Sequence, residues 1–150
     1  MKIKTKRLTL VPCTEDFLSS IIDKYEIGPH IEFHIEELKK DATVVGWGVW
    51  FVINNESNCV IGDIGFKGKP QANKMVEIGY GIIPSEWGKG YATEAVNEIV
   101  NWAFASQIVD SVVAECLVDN YASIKVLKKL GMQEVEKEDN MIKWKLQRNK

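Results

Sequence analysis

Val76-Glu-Ile-Gly-Tyr-Gly-Ile-Ile-Pro-Ser-Glu-Trp-Gly-Lys-Gly-Tyr-Ala-Thr-Glu-Ala95 changes its period halfway. Ile78, Tyr80 and Ile82 alternate with Glu77, Gly79 and Gly81, as in a strand, whereas Ala92, Ala95, Val96, Ile99 and Ala103 recur at helical spacing. An extended segment stopped at Pro84 therefore feeds a helix. Between them, the glycines of Trp87-Gly88-Lys89-Gly90-Tyr91-Ala92 let the backbone turn its N–H groups toward one point at the positive end of that helix. Such a point suits a phosphate, although plain packing turns use the same residues.

Two common phosphate motifs are excluded: the loop lacks both the P-loop spacing and the three-glycine dinucleotide fingerprint. It resembles the pyrophosphate-binding loop of the GNAT superfamily of acetyl-CoA-dependent N-acetyltransferases, Gln/Arg-x-x-Gly-x-Gly/Ala, here Trp87-x-x-Gly90-x-Ala92. Trp-Gly-Lys-Gly-Tyr-Ala-Thr-Glu-Ala is similar to the branch that holds the ribosomal-protein N-terminal acetyltransferases. Asn120-Tyr-Ala-Ser123, followed by Leu127 and Leu130-Gly131-Met132, resembles the Asn-x-x-Ser helix of the same branch. The likeness runs from Thr5-Lys6-Arg7-Leu8 to the strand near Trp144.

The 150 residues predict a single domain over 1–150. A hydrophobic content of 45% and a net charge of −2 give no electrostatic case for nucleic-acid binding. Cys13, Cys59 and Cys116 are odd in number and widely separated, which predicts reduced thiols rather than a disulfide framework or a zinc site. The basic start lacks the apolar region of a signal peptide, and no run approaches membrane-spanning length, so the cytoplasm is the expected compartment. A homodimer is left open.

Taken in order, Leu8, Leu10 and Pro12 predict a first strand. Thr14 can cap a helix carrying Phe17, Leu18, Ile21 and Ile22, and Gly28-Pro29 separates it from an acidic helix over 31–40. His30 and His34 share a helical spacing, but no third metal ligand presents itself, which favours surface or packing roles. The glutamates beside them read as a solvated face or as an attraction for a cationic amine. Val44 to Ile53 and Cys59 to Lys67 read as a hairpin, with Trp47 and Trp50 in the core. After the helix that starts at Tyr91 come a strand near Val112–Val118, a helix over 121–130 closed by Gly131, and a hairpin over 133–146. The order predicts an α+β fold, a mixed and mostly antiparallel central sheet flanked by helices, consistent with the GNAT acyl-CoA N-acyltransferase fold that the motifs imply.

The resemblance implies that the strands ending near Ile83 and Val118 splay apart around a pantetheine arm, and that the region before the hairpin walls the acceptor. It points to transfer of an acetyl group from acetyl-CoA to a primary amine in a ternary complex, with no metal. Backbone N–H groups of Trp87, Gly88, Lys89, Gly90, Tyr91 and Ala92, with Thr93, would hold the pyrophosphate; Ile82 and Ile83 would meet the acyl arm. Asn120 and Ser123 would contact the cofactor, with Ser123 able to donate to the thiolate, and Glu77 is the carboxylate best placed to take the amine's proton. Leu127 stands where many relatives carry a tyrosine acid, which keeps a non-catalytic acyl-CoA-binding or sensing domain as the alternative. A lysine amine of pKa ~10.4 is only about one part in a few thousand neutral at pH 7, an α-amine near ~8 roughly a tenth, so a weak base favours a peptide N-terminus or another low-pKa amine.

Overall fold

A computed structural model describes residues 1–148. Strands β1 (Ile3–Lys4) and β2 (Leu8–Pro12) are followed by helices α1 (Glu15–Ile21) and α2 (Pro29–Lys40). Then come β3 (Val49–Asn54), β4 (Cys59–Phe66), β5 (Met75–Ile82), α3 (Tyr91–Ala105), β6 (Ser111–Leu117), α4 (Tyr121–Lys129), β7 (Gln133–Glu138) and β8 (Met141–Gln147). The eight strands form one sheet in the order β1-β2-β3-β4-β5-β6-β8-β7. Every neighbouring pair is antiparallel except β5 and β6, joined through α3.

Local chemistry sets the boundaries. The Thr14 hydroxyl accepts from the Phe17 N–H at 3.2 Å and starts α1, and Pro29 takes the first turn of α2, where a missing N–H costs nothing. Gly131, at φ +86°, turns the chain out of α4. The predicted strand from Val44 begins only at Val49. Asp41 caps a short 3-10 turn over Ala42–Val44, and Gly46, at φ +87°, leaves room for the Trp102 ring, which an added Cβ would approach to 2.8 Å. β1 carries too few residues to show a period.

Two apolar clusters cover the two faces of the sheet. On one, Ala95, Val96, Ile99, Val100 and Ala103 of α3 and Leu127 of α4 pack on Leu10, Val52, Ile64, Ile78 and Val112. Trp102 docks α3 against Trp47 and Trp50 at centroid separations of 4.7 and 5.3 Å. The smaller cluster joins Ile21, Ile31 and Ile35 of the first two helices to Cys13, Val49 and Phe51. No helix among the described residues is long and apolar enough to cross a membrane.

His34 belongs to this second face and is 5% exposed, with no hydrogen-bond partner at Nε2 among the described residues. It lies over Gly48, where an added Cβ would collide with the imidazole ring. Burial lowers its pKa from 6.5, against smaller opposing effects of the Cys13 backbone and Glu37. The unfolded chain therefore binds the proton more readily, and the stability held above pH ~6.5 is lost as pH falls below it. Thermal unfolding is expected to show a larger drop in midpoint between pH 7.5 and 5.5 for the wild type than for His34→Leu; equal slopes would contradict this origin.

Candidate active site

The pairing of β5 with β6 stops early. Met75, Val76 and Glu77 lie opposite Ser111, Val112 and Val113; beyond them, among the described residues, β5 pairs only with β4, and β6 only with β8. Ile83 donates its N–H to Ile61 at 2.8 Å, which fixes the odd-numbered residues of β5 as those bonded to β4. The N–H and C=O groups of Tyr80 and Ile82 consequently face the opening wedge. The expected splay is present.

The loop after β5 ends at the same opening. Gly88 and Gly90 take φ values of +76° and +82°, conformations that a side chain disfavours by about 1–2 kcal/mol. None of the backbone N–H groups from Gly88 to Thr93 donates to another group among the described residues, and the first bond of α3 runs from Glu94 to Gly90 at 3.1 Å. Six consecutive donors thus sit at the positive end of a 15-residue helix. Trp87 is excluded from this set because its N–H donates to Pro84 at 3.2 Å. Its indole N–H donates to the Ile82 carbonyl at 2.6 Å, so the ring braces the strand end while remaining 66% exposed.

Arg7 and Glu94 clamp this loop, and neither stood out in the sequence. The Arg7 Nε donates to Glu94 Oε1 at 2.7 Å and its Nη1 to the Lys89 carbonyl at 2.8 Å; the guanidinium also lies 4.4 Å from the centroid of the Tyr91 ring. The second oxygen of Glu94 accepts from the Thr5 hydroxyl and from the Arg7 N–H. Burial pushes the Glu94 carboxyl up, but the Thr5 and Arg7 hydrogen bonds and the Arg7 charge outweigh it and hold the group below its usual range. The Lys89 ammonium lies 3.1 Å from Glu86.

Across the wedge, the Asn120 side chain caps α4 by accepting from the Ser123 N–H at 3.1 Å, which leaves its amide N–H groups free of intrachain bonds among the described residues. The Ser123 hydroxyl lies 2.6 Å from that of Tyr80. This bond joins β5 to α4 and links two hydroxyls whose pairing the sequence did not reveal. Burial, more than the Ser123 bond offsets, raises the Tyr80 pKa. Leu127 is fully buried in the core.

Glu77 lies at the closed end of the wedge, on the face away from α3, with its carboxylate 2.7 Å from Lys67. On that face an added Cβ at Gly79 or Gly81 would meet nothing within 4 Å, so β5 floors an open trough beyond Glu77. Asp63, register partner of Gly81, borders it and accepts from the Tyr25 hydroxyl at 2.6 Å and His30 Nε2 at 2.7 Å. Among the described residues no group of three or more His, Cys, Asp or Glu side chains could hold a metal ion.

Residues 7–133 match the family model of the GNAT acetyltransferase domain, and the chain belongs to this family. A protein named "Uncharacterized N-acetyltransferase YjdG" from Bacillus subtilis is 36% identical over 67% of this chain and 60% of its own length. The chain spans about half of the length of several other curated relatives that it matches. Among solved structures, RimL, a ribosomal L7/L12 α-N-protein acetyltransferase in complex with coenzyme A, superposes with a TM-score of 0.77 at 15% identity over 98% of both chains. The ribosomal-protein-S5-alanine acetyltransferase from Vibrio fischeri gives 0.74 at 15% identity, over 98% of this chain and 96% of its own. At these identities the likeness is one of fold.

Glu94→Gln removes the charge that holds Arg7 against the Lys89 carbonyl. It is expected to destabilise the protein by about 1–3 kcal/mol at neutral pH, the range of a hydrogen-bonded charge, and to weaken coenzyme A binding. Chemical denaturation and calorimetry check the two effects, and an unaltered midpoint and affinity would contradict the clamp.

Proposed function

We propose that the protein transfers an acetyl group from acetyl-CoA to a primary amine by direct attack in a ternary complex. The observation that carries this reading is a row of N–H groups, Gly88 to Thr93, unpartnered among the described residues, at the same opening as the wedge between β5 and β6. Pyrophosphate oxygens suit such a row because each donor is already oriented and the helix end is positive. Lys89 adds a charge nearby. The N–H of Ile82 suits the acyl arm, Ile83 offers only its side chain and carbonyl because its N–H is spent on Ile61, and the Asn120 amide suits the pantetheine.

In the transfer, the neutral amine attacks the thioester carbonyl carbon, the C–S bond breaks, and the departing thiolate takes a proton. Ser123 is assigned as the donor, with Tyr80 restoring its proton through their 2.6 Å bond and regaining one from solvent, to which Glu77 releases the proton taken from the amine. This pair supplies the acid function that Leu127 cannot, and it favours turnover over a purely binding role. Glu77 is assigned to accept the amine's proton through water. A peptide N-terminus or another low-pKa amine is the favoured acceptor. The free thiols of Cys13, Cys59 and Cys116 suit a reducing compartment, and the cytoplasm is the proposed site of action.

Thiol release from acetyl-CoA across a panel of amines tests this reading. The wild type is expected to release thiol in an amine-dependent way, and Ser123→Ala to lower kcat about 100-fold, the lower end of proton-transfer catalysis because a thiolate is already a good leaving group. Release with no amine, or an undiminished kcat in the variant, would contradict the assignment.

A further inference from the structure

Asp63 is a carboxylate with no assigned work, placed beside the open floor of β5. Its side chain is 17% exposed, so it is mostly out of water yet reachable. Tyr25 approaches one oxygen and His30 the other, and the Tyr25 ring is fixed edge-on against buried Phe51 at a centroid separation of 5.9 Å. No lysine or arginine among the described residues lies within salt-bridge distance of it. The neighbouring groups feel its charge: burial first and Asp63 second push the Cys13 thiol up to about 12, and burial, the Asp63 bond and the charges of Asp63 and Glu26 raise the Tyr25 phenol.

A tie between the α1–α2 connection and the sheet would explain Tyr25 and His30, but an apolar contact could serve that purpose without placing a negative charge in a half-dry site. Apart from the His30 ring, which pairs with it when protonated, the charge gains a partner if a cation enters the trough. Across β4 and β5, Asp63 is the direct register partner of Gly81, whose Cα bears no side chain and whose Cβ position is open. The Asp63 carboxylate therefore borders the face opposite α3 and α4, beside Ile82.

We propose that Asp63, oriented by Tyr25 and His30, is the acceptor-recognition residue that receives the amine in its ammonium form and selects acceptors without a negative charge next to the nitrogen. This rests on the acetyl-transfer reading given above. Amines followed by an amide, such as a peptide N-terminus, meet Asp63 and Glu77 without repulsion; a free amino acid presents its own carboxylate to both. Tyr25 and His30 are positioning residues, acting only through the carboxylate they hold.

The experiment compares glycinamide and glycine as acceptors for the wild type, Asp63→Asn and His30→Gln, with coenzyme A affinity measured on each by calorimetry. The wild type is expected to favour glycinamide in kcat/KM. Asp63→Asn should raise its KM by roughly tenfold or more, the worth of a hydrogen-bonded charge, and narrow the preference by a similar factor. Coenzyme A affinity should stay in place. His30→Gln, which alters an exposed ring and so keeps the question open to measurement if Asp63→Asn does not fold, should raise KM a few-fold with kcat unchanged. Wild-type turnover with an unchanged preference and KM in the variants would overturn this inference alone. Absence of thiol release with every amine, wild type included, would defeat the acetyl-transfer reading and this inference with it.

Discussion

Three residue pairs join β5 to β6, from Met75–Ser111 to Glu77–Val113, and the parallel ladder ends there. A sheet that kept pairing would satisfy every backbone group and leave no opening; this one leaves the N–H and C=O of Tyr80 and the N–H of Ile82 facing a gap, the Ile82 carbonyl being taken by the Trp87 indole. The opening is held from both sides by packing. α3 is locked on one side by Trp102 against Trp47 and Trp50, and α4 on the other by Leu127 in the core, with the Tyr80–Ser123 bond spanning between. Unpaired backbone in a sheet is costly, so its persistence beside unpartnered loop donors argues for a ligand that completes the hydrogen bonding.

Much of this was readable from residues alone. The change from period 2 to period 3.6 across Pro84 located β5 and α3 closely, and Gly88 and Gly90 marked the turn that only residues tolerant of positive φ can make. Asn120 and Ser123 stand at capping spacing in the sequence, and the cap hydrogen bond joins them in the structure. Long-range pairings were not legible, because nothing local in Arg7, Glu94 or Tyr80 announces a partner 87 or 43 residues away in the chain. Asp63 was hidden for the same reason: on a strand of apolar residues and glycines it reads as a solvent-facing side chain, and only the register with Gly81 and the fold-over of α1 and α2 give it surroundings.

The two faces of the sheet divide the work. On the α3 and α4 side lie the oriented N–H groups and the hydroxyl pair, suited to an anionic phosphate and a departing thiolate. On the α1 and α2 side lie the carboxylates of Glu77 and Asp63, suited to a positively charged amine. On the acetyl-transfer reading, this division lets the two substrates approach the opening from opposite faces of the sheet. His34 of α2 is buried over Gly48, and its Nε2 has no hydrogen-bond partner among the described residues.

Calorimetric titration of coenzyme A into the wild type and into Gly90→Val tests the wedge and its loop most directly. Valine would be strained at φ +82°, and its Cβ would stand 3.4 Å from the Arg7 guanidinium, so the row of N–H groups loses its shape. The account predicts saturable binding to the wild type and its loss in a variant that still unfolds cooperatively. Equal affinity in the two proteins, or a folded wild type that binds no coenzyme A, would contradict it.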